Sequence, residues 1–252
     1  MMYSKRNYKI LLQCAIAEGY RFVDYEYFTL QADRQAILRH DIDMSPSIAL
    51  EMAEIDASCG IRSTFAVLLS APLYNPFSPE NVETINRIHG LGHNIALHHP
   101  VLPLRSDKRM QRDIKREMRV MRYFFPYTQP VFIWHSTGGA GGLASLTVPG
   151  IINAYSSRFT EQAVYVSDTR LSPEDFLKAI DTHKPLHMLF HPVTWMSERD
   201  GAVATLSYAV TRAVRDWDRQ SGVKNSAWRE KYPNELPEET LAKIEEVLNG
   251  ND

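Results

Sequence analysis

Cysteine is scarce in this sequence, which has only Cys14 and Cys59 among its 252 residues. Both cysteines lie in segments with helical spacing, and neither has the close partner of a metal-binding cysteine motif. We therefore expect two reduced core residues, which suits a reducing compartment.

Long apolar runs and an excess of charge of one sign are also missing. No stretch of 18 apolar residues occurs, and residues 1–6 lead into a mixed polar helix rather than the apolar segment of a signal peptide. The formal net charge is -2, and the basic run at 108–117 is interleaved with acidic and apolar residues, as on a solvated helix face. These features predict a soluble, cytoplasmic protein with no transmembrane segment and no nucleic-acid partner.

The chain alternates short apolar segments with segments of helical spacing. Strands are predicted at 37–43, 63–69, 93–98, 131–135, 151–156, 163–167 and 186–191, and the main helices at 8–18, 47–58, 79–88, 107–125, 173–184, 202–220 and 237–248. Strands that alternate with helices across short turns indicate an α/β fold with a mostly parallel sheet, open or closed into a barrel. We expect one domain over 1–252, with a helix and an aromatic arm in 1–36 packed on it.

The segment 37–43, Ile-Leu-Arg-His-Asp-Ile-Asp, carries the most information. Side chains alternate between the two faces of a strand, so Arg39, Asp41 and Asp43 share one face. Two neighbouring carboxylates repel each other, and a divalent metal is the usual compensating charge. The alternative is a helix-capping aspartate beside a surface aspartate at a strand–helix junction.

Histidines follow several of the other predicted strands. The polar residues at these strand ends are His98, His99, His135 and His191, with Asp168 and Arg170 after one further strand. The carboxyl ends of parallel strands form one rim, where active sites lie, and imidazole with carboxylate suits zinc, iron, manganese or nickel. Alternation places His98, His135 and His191 on the inner face. Trp195 is either a packing residue or the wall of a sugar-sized pocket.

These residues resemble the motifs of the NodB-type polysaccharide deacetylases, carbohydrate esterase family 4. The matching segments are 38–43, 92–98, 132–135 and 189–192, in the order of the family and with similar separations. The first of them, Leu-Arg-His-Asp-Ile-Asp, is most similar to the His-Asp-x-Asp deacetylases of bacterial O-antigen and surface-polysaccharide clusters.

The resemblance implies a distorted (β/α) barrel of the NodB type with a divalent metal near its mouth, zinc first and iron, nickel, cobalt or manganese as alternatives. It implies that Asp41 is the general base and His191 the general acid. Asp43 and His98 would be metal ligands. The implied reaction is metal-dependent hydrolytic deacetylation of an N-acetylated saccharide in O-antigen or surface-polysaccharide biosynthesis.

The sequence departs from the family at the third ligand, because Leu102 stands where a second histidine is usual. His135 is the expected replacement, with His99 behind it. His135 could instead orient the base, since it lies near the usual position of an arginine.

The remaining polar residues of the rim are expected to support the acid histidine or to contact substrate; they are Arg39, Asp168, Arg170 and Trp195. Two other functions stay open. One is an amide or cyclic-ureide hydrolase on the same barrel, and the other is a degenerate barrel that binds a saccharide or a partner without turnover.

Overall fold

The computed structural model describes residues 2–101, 105–136, 142–199, 201–224, 230 and 236–249. Leu102 and most of the glycine-rich segment after β5 therefore lie outside the described residues. In chain order the elements are α1 (Lys5–Ala17), β1 (Arg21–Phe22), β2 (Gln35–Ile42), α2 (Pro46–Ser58), β3 (Thr64–Leu68), α3 (Pro79–Gly90), β4 (Asn94–Pro100), α4 (Asp107–Phe124), β5 (Val131–His135), β6 (Ile152–Asn153), α5 (Ser157–Thr160), β7 (Val164–Ser167), α6 (Pro173–Ile180), β8 (Leu186–Phe190), α7 (Pro192–Met196), α8 (Ala202–Lys224) and α9 (Glu238–Leu248).

The junction between β2 and α2 shows why the aspartates end a strand. All eight residues of β2 are buried, as expected of a central strand covered on both faces. Ser45 then caps α2, because its Oγ accepts a hydrogen bond from the backbone N–H of Ile48 at 3.3 Å. Pro46 occupies the first helical turn, where its fixed φ angle is compatible with the helix. Asp43 therefore lies in the short connection above the sheet.

All of the described strand pairs are parallel, in the order β6-β5-β4-β3-β2-β8-β7, with β1 beside the start of β2. The sheet is curled so that its two end strands approach each other. Tyr155 follows β6 and Tyr165 lies in β7, yet the centroids of their rings are only 6.4 Å apart. The predicted α/β fold, a distorted barrel of parallel strands with helices outside, is confirmed.

The hydrophobic core has an inner and an outer part. The inner part fills the amino-terminal half of the barrel with small or β-branched strand residues and with Tyr25 and Phe28 from the segment after β1. The outer part lies between the sheet and the helices, and α1 joins it through buried Tyr8, Leu11 and Leu12. Because side chains fill the amino-terminal half, open space is left at the carboxyl ends of the strands.

Several predicted elements differ in extent from the observed ones. The strand predicted at 151–156 is paired only over β6, because Asn153 turns its amide to the carbonyls of Leu143 and Leu146 and α5 begins soon afterwards. The aromatic arm pairs only over β1. Cys14 and Cys59 are free thiols, as predicted, but both are only partly buried. Across the described residues, no helix combines the length and the apolar character needed to span a bilayer.

Candidate metal and hydrolytic site

A cavity of about 710 Å³ opens at the carboxyl ends of the strands. Its walls are formed by Asp41, Asp43, His98, Trp134, His135, Ser136, Tyr155, Tyr165, Ser167, Thr169, Arg170, Leu171, Leu189 and His191. Parallel strands place their carboxyl ends at one edge, so residues far apart in sequence meet there. The five histidine and aspartate side chains in this wall are all ones that the sequence places on the inner face.

Three of these side chains present ligand atoms to one another. The Oδ1 atom of Asp43 lies 3.1 Å from Nε2 of His98 and 3.2 Å from Nδ1 of His135. The two histidine nitrogens are 3.2 Å apart. Ligands of a tetrahedral zinc at 2.0–2.2 Å are separated by roughly 3.3–3.6 Å, so the three atoms fit one divalent cation.

The hydrogen bonding of His98 prepares it as a ligand. Its Nδ1 lies 3.2 Å from the backbone carbonyl of Ile133, to which it donates. With Nδ1 engaged there, Nε2 is the nitrogen that faces Asp43 and the atom that would bind a metal, as is usual for histidines with such a backbone partner. The donor set of one carboxylate and two imidazoles is typical of catalytic zinc and related ions.

Asp41 is held by an arginine rather than by the histidines. Arg39 donates from Nε to Oδ1 at 2.8 Å and from Nη2 to Oδ2 at 2.6 Å. Both side chains are buried, and Nε2 of His98 lies 3.6 Å from Oδ2 of Asp41. Burial alone would raise the pKa of Asp41, but the charge of Arg39, followed by that of His98, holds this pKa below its ordinary value.

His191 is positioned by Asp168. The Nδ1–H of His191 donates to Oδ1 of Asp168 at 2.6 Å, while Oδ2 accepts the His191 backbone N–H at 2.7 Å and Nε1–H of Trp195 at 2.9 Å. The Nε2 atom of His191 is 3.7 Å from Oδ2 of Asp43. Although burial disfavours the imidazolium, Asp168 outweighs it and raises the pKa of His191 to about 9.

The pKa values of Asp43 and His135 depend on the contact between the two side chains. Burial works to raise the pKa of Asp43, but hydrogen bonds to His135 and His98 dominate and lower it. The bond to Asp43 in turn raises the pKa of His135. A carboxylate that is ionised throughout the neutral range is the form that a metal requires.

Three residues that we expected to contact substrate are placed elsewhere. Trp195 is fully buried in the outer core behind His191, so its interpretation as a pocket wall is wrong. Arg39 is also fully buried and has its charge paired with Asp41, and the side chain of Asp168 is wholly enclosed against His191. Both act on neighbouring residues rather than on a ligand. Arg170 is the one member of this group that lines the cavity.

His135 and His99 have different surroundings. His135 pairs with Asp43, and the side chain that pairs with Asp41 is Arg39 rather than His135. His99 donates from Nδ1 to Glu117 at 2.7 Å and is turned away from the cavity. Asp41, Asp43, His98, His135 and His191 are thus brought together, whereas His99 is not.

Sequence reasoning missed Tyr155 and Tyr165, which also line the cavity. The hydroxyl of Tyr155 accepts a hydrogen bond from Nη2 of Arg39 at 3.1 Å, and its ring lies 4.8 Å beneath the guanidinium carbon. Alternation within 163–167 places Tyr165 opposite Val164 and Val166, a signal that could have found it. Tyr155 depends on the curl of the sheet, for which the sequence has no local signal.

Comparisons with known proteins give limited similarity. No family model and no curated protein matches the chain. The structure of the Streptococcus pyogenes deacetylase PplD in complex with acetate superposes with a TM-score of 0.46 at 14% identity, over 69% of this chain and 86% of that one. The chitin deacetylase from the fungal pathogen Colletotrichum lindemuthianum gives 0.41 at 15% identity, over 77% and 84%. Similarities this low do not assign an activity.

Proposed function

We propose that this chain is a metal-dependent hydrolase that removes acetyl groups from an N-acetylated sugar. One observation carries the proposal: a paired carboxylate, a three-donor metal set and an imidazole supported by a carboxylate all face the same cavity. The motif at 38–43 further supports a substrate from O-antigen or surface-polysaccharide biosynthesis, by its resemblance to deacetylases of such clusters.

Asp43, His98 and His135 would hold the cation. A divalent metal bound there supplies Lewis-acid polarisation of the acetyl carbonyl and positive charge for the oxyanion that develops in the transition state. Zinc is the first choice for this donor set, with iron, nickel, cobalt and manganese as alternatives.

Asp41 would act as the general base. Because Arg39 keeps it ionised and holds both of its oxygens, its remaining lone pairs are available at the cavity wall. It would accept a proton from the water whose oxygen attacks the acetyl carbon. The preset orientation matters as much as the basicity, since a general base must lie within hydrogen-bond reach of the proton that it removes.

His191 would act as the general acid. Amine departure requires a proton on nitrogen, and the raised pKa of His191, about 9, keeps its imidazole protonated at neutral pH. Its Nδ1–H is occupied by Asp168, so the proton on Nε2 is the one available to the cavity. Transfer of that proton while the C–N bond breaks would release acetate and the free amino sugar.

The size and lining of the cavity are compatible with a saccharide. A volume of about 710 Å³ lies within the usual range for small-molecule sites. The rings of the half-buried Tyr155 and Tyr165 provide faces for a pyranose, and Arg170 provides a cation that can donate to hydroxyl oxygens.

Metal analysis combined with acetate release tests the proposal. Protein purified without chelator should carry close to one metal per chain and release acetate from N-acetylglucosamine oligosaccharides. Asp43→Ala should lose both the metal and the activity. Asp41→Asn should keep the metal and lose turnover by ~10²–10⁴, the usual contribution of one general base. His183→Gln, which changes an exposed histidine bonded to Glu18, is the matched control and should alter neither.

Two other outcomes would replace the proposal. Leu102, at the usual position of a metal histidine, favours a degenerate barrel that binds a saccharide or a partner without turnover. Metal-free protein that binds the oligosaccharide but releases no acetate would establish that function. Hydrolysis of simple amides or cyclic ureides, but not of N-acetyl sugars, would instead indicate the related hydrolase.

A further inference from the structure

Helix α4 presents a strongly basic surface that the proposed reaction does not use. Seven exposed basic residues lie along it: Lys108, Arg109, Arg112, Lys115, Arg116, Arg119 and Arg122. At 100° per residue they fall within an arc of about 140° on one side of a helix roughly 27 Å long. We call this arc the basic face of α4. The buried positions Ile114, Met118 and Met121 lie on the opposite side.

Helix α4 has three acidic residues, of which Asp107 is exposed at its amino-terminal end and the other two have partners outside the basic face. Asp113 is paired with Arg105 at 2.7 Å, and Glu117 is paired with His99 at 2.7 Å. The charges of Asp113 and Glu117 are therefore balanced by residues that do not belong to the basic face. None of the seven basic side chains forms an ion pair with another residue in the described part of the chain. The net charge of -2 thus conceals a local concentration of positive charge.

The basic face borders a groove of about 880 Å³. One wall comes from α4, including Arg109, Arg112 and Arg116 and one carboxylate, Asp113, and the other from residues 149–151, which precede β6. A concave surface lined by guanidinium groups matches the geometry of phosphate oxygens, which accept paired hydrogen bonds from arginine.

Apolar side chains are exposed where the basic face ends. Tyr123 is 82% exposed, Phe124 39% and Val120 38%, although the ring of Phe124 stacks on Phe77 at 4.3 Å between centroids. Arg116 and Arg119 lie directly beside these three residues. Cations next to exposed aromatic and aliphatic groups are the combination found on helices that lie at a membrane–water interface.

We propose that the basic face of α4 docks on an anionic phospholipid surface. The arginines and Lys115 would pair with lipid phosphates, and Tyr123 with Val120 would enter the boundary between headgroups and acyl chains. A phospholipid surface is favoured over nucleic acid because Val120 and Phe124 offer aliphatic and aromatic contact to acyl chains. A nucleic acid would engage the cations and leave Val120 in water.

Vesicle co-sedimentation of the full chain tests this proposal. We expect binding to vesicles of phosphatidylcholine with phosphatidylglycerol, and at least tenfold weaker binding to phosphatidylcholine alone. The triple variant Arg112→Glu, Arg116→Glu and Arg119→Glu should lose at least tenfold in affinity for the anionic vesicles. The matched control is Arg6→Glu, Lys184→Glu and Lys243→Glu, which reverses three exposed charges elsewhere and should bind as the parent does.

Three results would overturn the proposal. The first is equal binding to neutral and anionic vesicles, and the second is an equal loss in the two triple variants. The third is tighter binding to a single-stranded oligonucleotide than to the vesicles, which would indicate a nucleic-acid surface.

The variant Tyr123→Ser tests the apolar contribution to vesicle binding. It should reduce the binding that survives 0.5 M salt, since screening by salt removes only the ionic contribution. No effect of Tyr123→Ser would refute insertion of that side chain. Acetate release in solution is a separate readout that these variants should not change, so failure of the docking proposal is distinguishable from failure of the deacetylase proposal.

Discussion

Arg39 donates two hydrogen bonds to Asp41 from two positions earlier on the same strand, at 2.8 and 2.6 Å. Both side chains are buried, so the ion pair is shielded from solvent. The two neighbouring aspartates thereby acquire different partners: Asp41 has a guanidinium, while Asp43 has two imidazoles. This division separates a carboxylate suited to proton transfer from one suited to binding a metal.

Replacement of Arg39 by methionine should destabilise the protein strongly. The variant Arg39→Met leaves the Asp41 carboxylate buried without its counter-charge, which typically costs 3–5 kcal/mol. Urea denaturation in the presence of chelator should show this loss in the free energy of unfolding. The control is Arg105→Met, which removes the partly exposed pair with Asp113 and should cost about 1 kcal/mol or less. Equal losses in the two variants would contradict the assigned role of the buried pair.

Substitution of Asp168 should affect amide substrates selectively. In Asp168→Asn the charge that raises the pKa of His191 is removed, so less of the imidazole is protonated at pH 7.5. We expect kcat for an N-acetyl sugar to fall by ~10²–10³, and for an activated aryl acetate by much less, because the aryl oxide leaves without a proton. An equal fall for both substrates would argue against His191 as the proton donor to the leaving group.

His187 should make the fold less stable in mild acid. It accepts from the Tyr25 hydroxyl at 2.8 Å and donates from Nδ1 to the Phe159 carbonyl at 3.1 Å, so it is neutral in the folded protein. Burial, with a smaller contribution from Arg39, lowers its pKa from 6.5 to about 3. Between these values the unfolded chain binds a proton that the folded chain does not, and stability is lost as pH falls below 6.5.

The test compares free energies of unfolding at pH 7.5 and pH 5 in the presence of chelator. His187→Gln cannot titrate, so its pH-dependent loss should be smaller than that of the parent by about 2 kcal/mol. His183→Gln changes an exposed histidine and should retain the full dependence. If His187→Gln and the parent lose the same free energy, the buried histidine is not the group responsible.

Trp195 and Arg170 should affect different kinetic constants. Trp195→Phe removes a donor to Asp168 but no surface of the cavity, so KM should stay unchanged while kcat falls severalfold. Arg170→Ala removes a cavity wall and should raise KM for the saccharide. Steady-state kinetics on one oligosaccharide measures both. An increase of KM in Trp195→Phe would instead indicate that Trp195 contacts the saccharide directly.

The sequence predicted the parallel sheet and the inward-facing groups because both follow from short-range patterns. Buried strands produce apolar runs, and alternation decides which face each residue occupies. The same rule cannot say what a side chain meets on that face. Alternation placed Arg39 on the same face as the site but could not show that its charge is paired with Asp41. Trp195 lies in α7, beyond the strand, where alternation no longer applies.

The basic face of α4 illustrates a second limit. Interleaved acids in the sequence predict a balanced, solvated surface, and the net charge supports that interpretation. Whether an acid faces its basic neighbours or a tertiary partner depends on the packing of the helix. Here Glu117 pairs with His99 and Asp113 pairs with Arg105, and both pairs depend on the three-dimensional packing of the helix.

Because β2 carries Arg39 and Asp41 on one face, its pairing register also sets the chemistry of the cavity. A single-residue deletion between 35 and 38 would move every later side chain to the opposite face. Leu38, His40 and Ile42 would then point into the barrel, and the carboxylate would be driven against the apolar side of α2. Single-residue insertions and deletions in this strand should therefore abolish activity rather than reduce it in part.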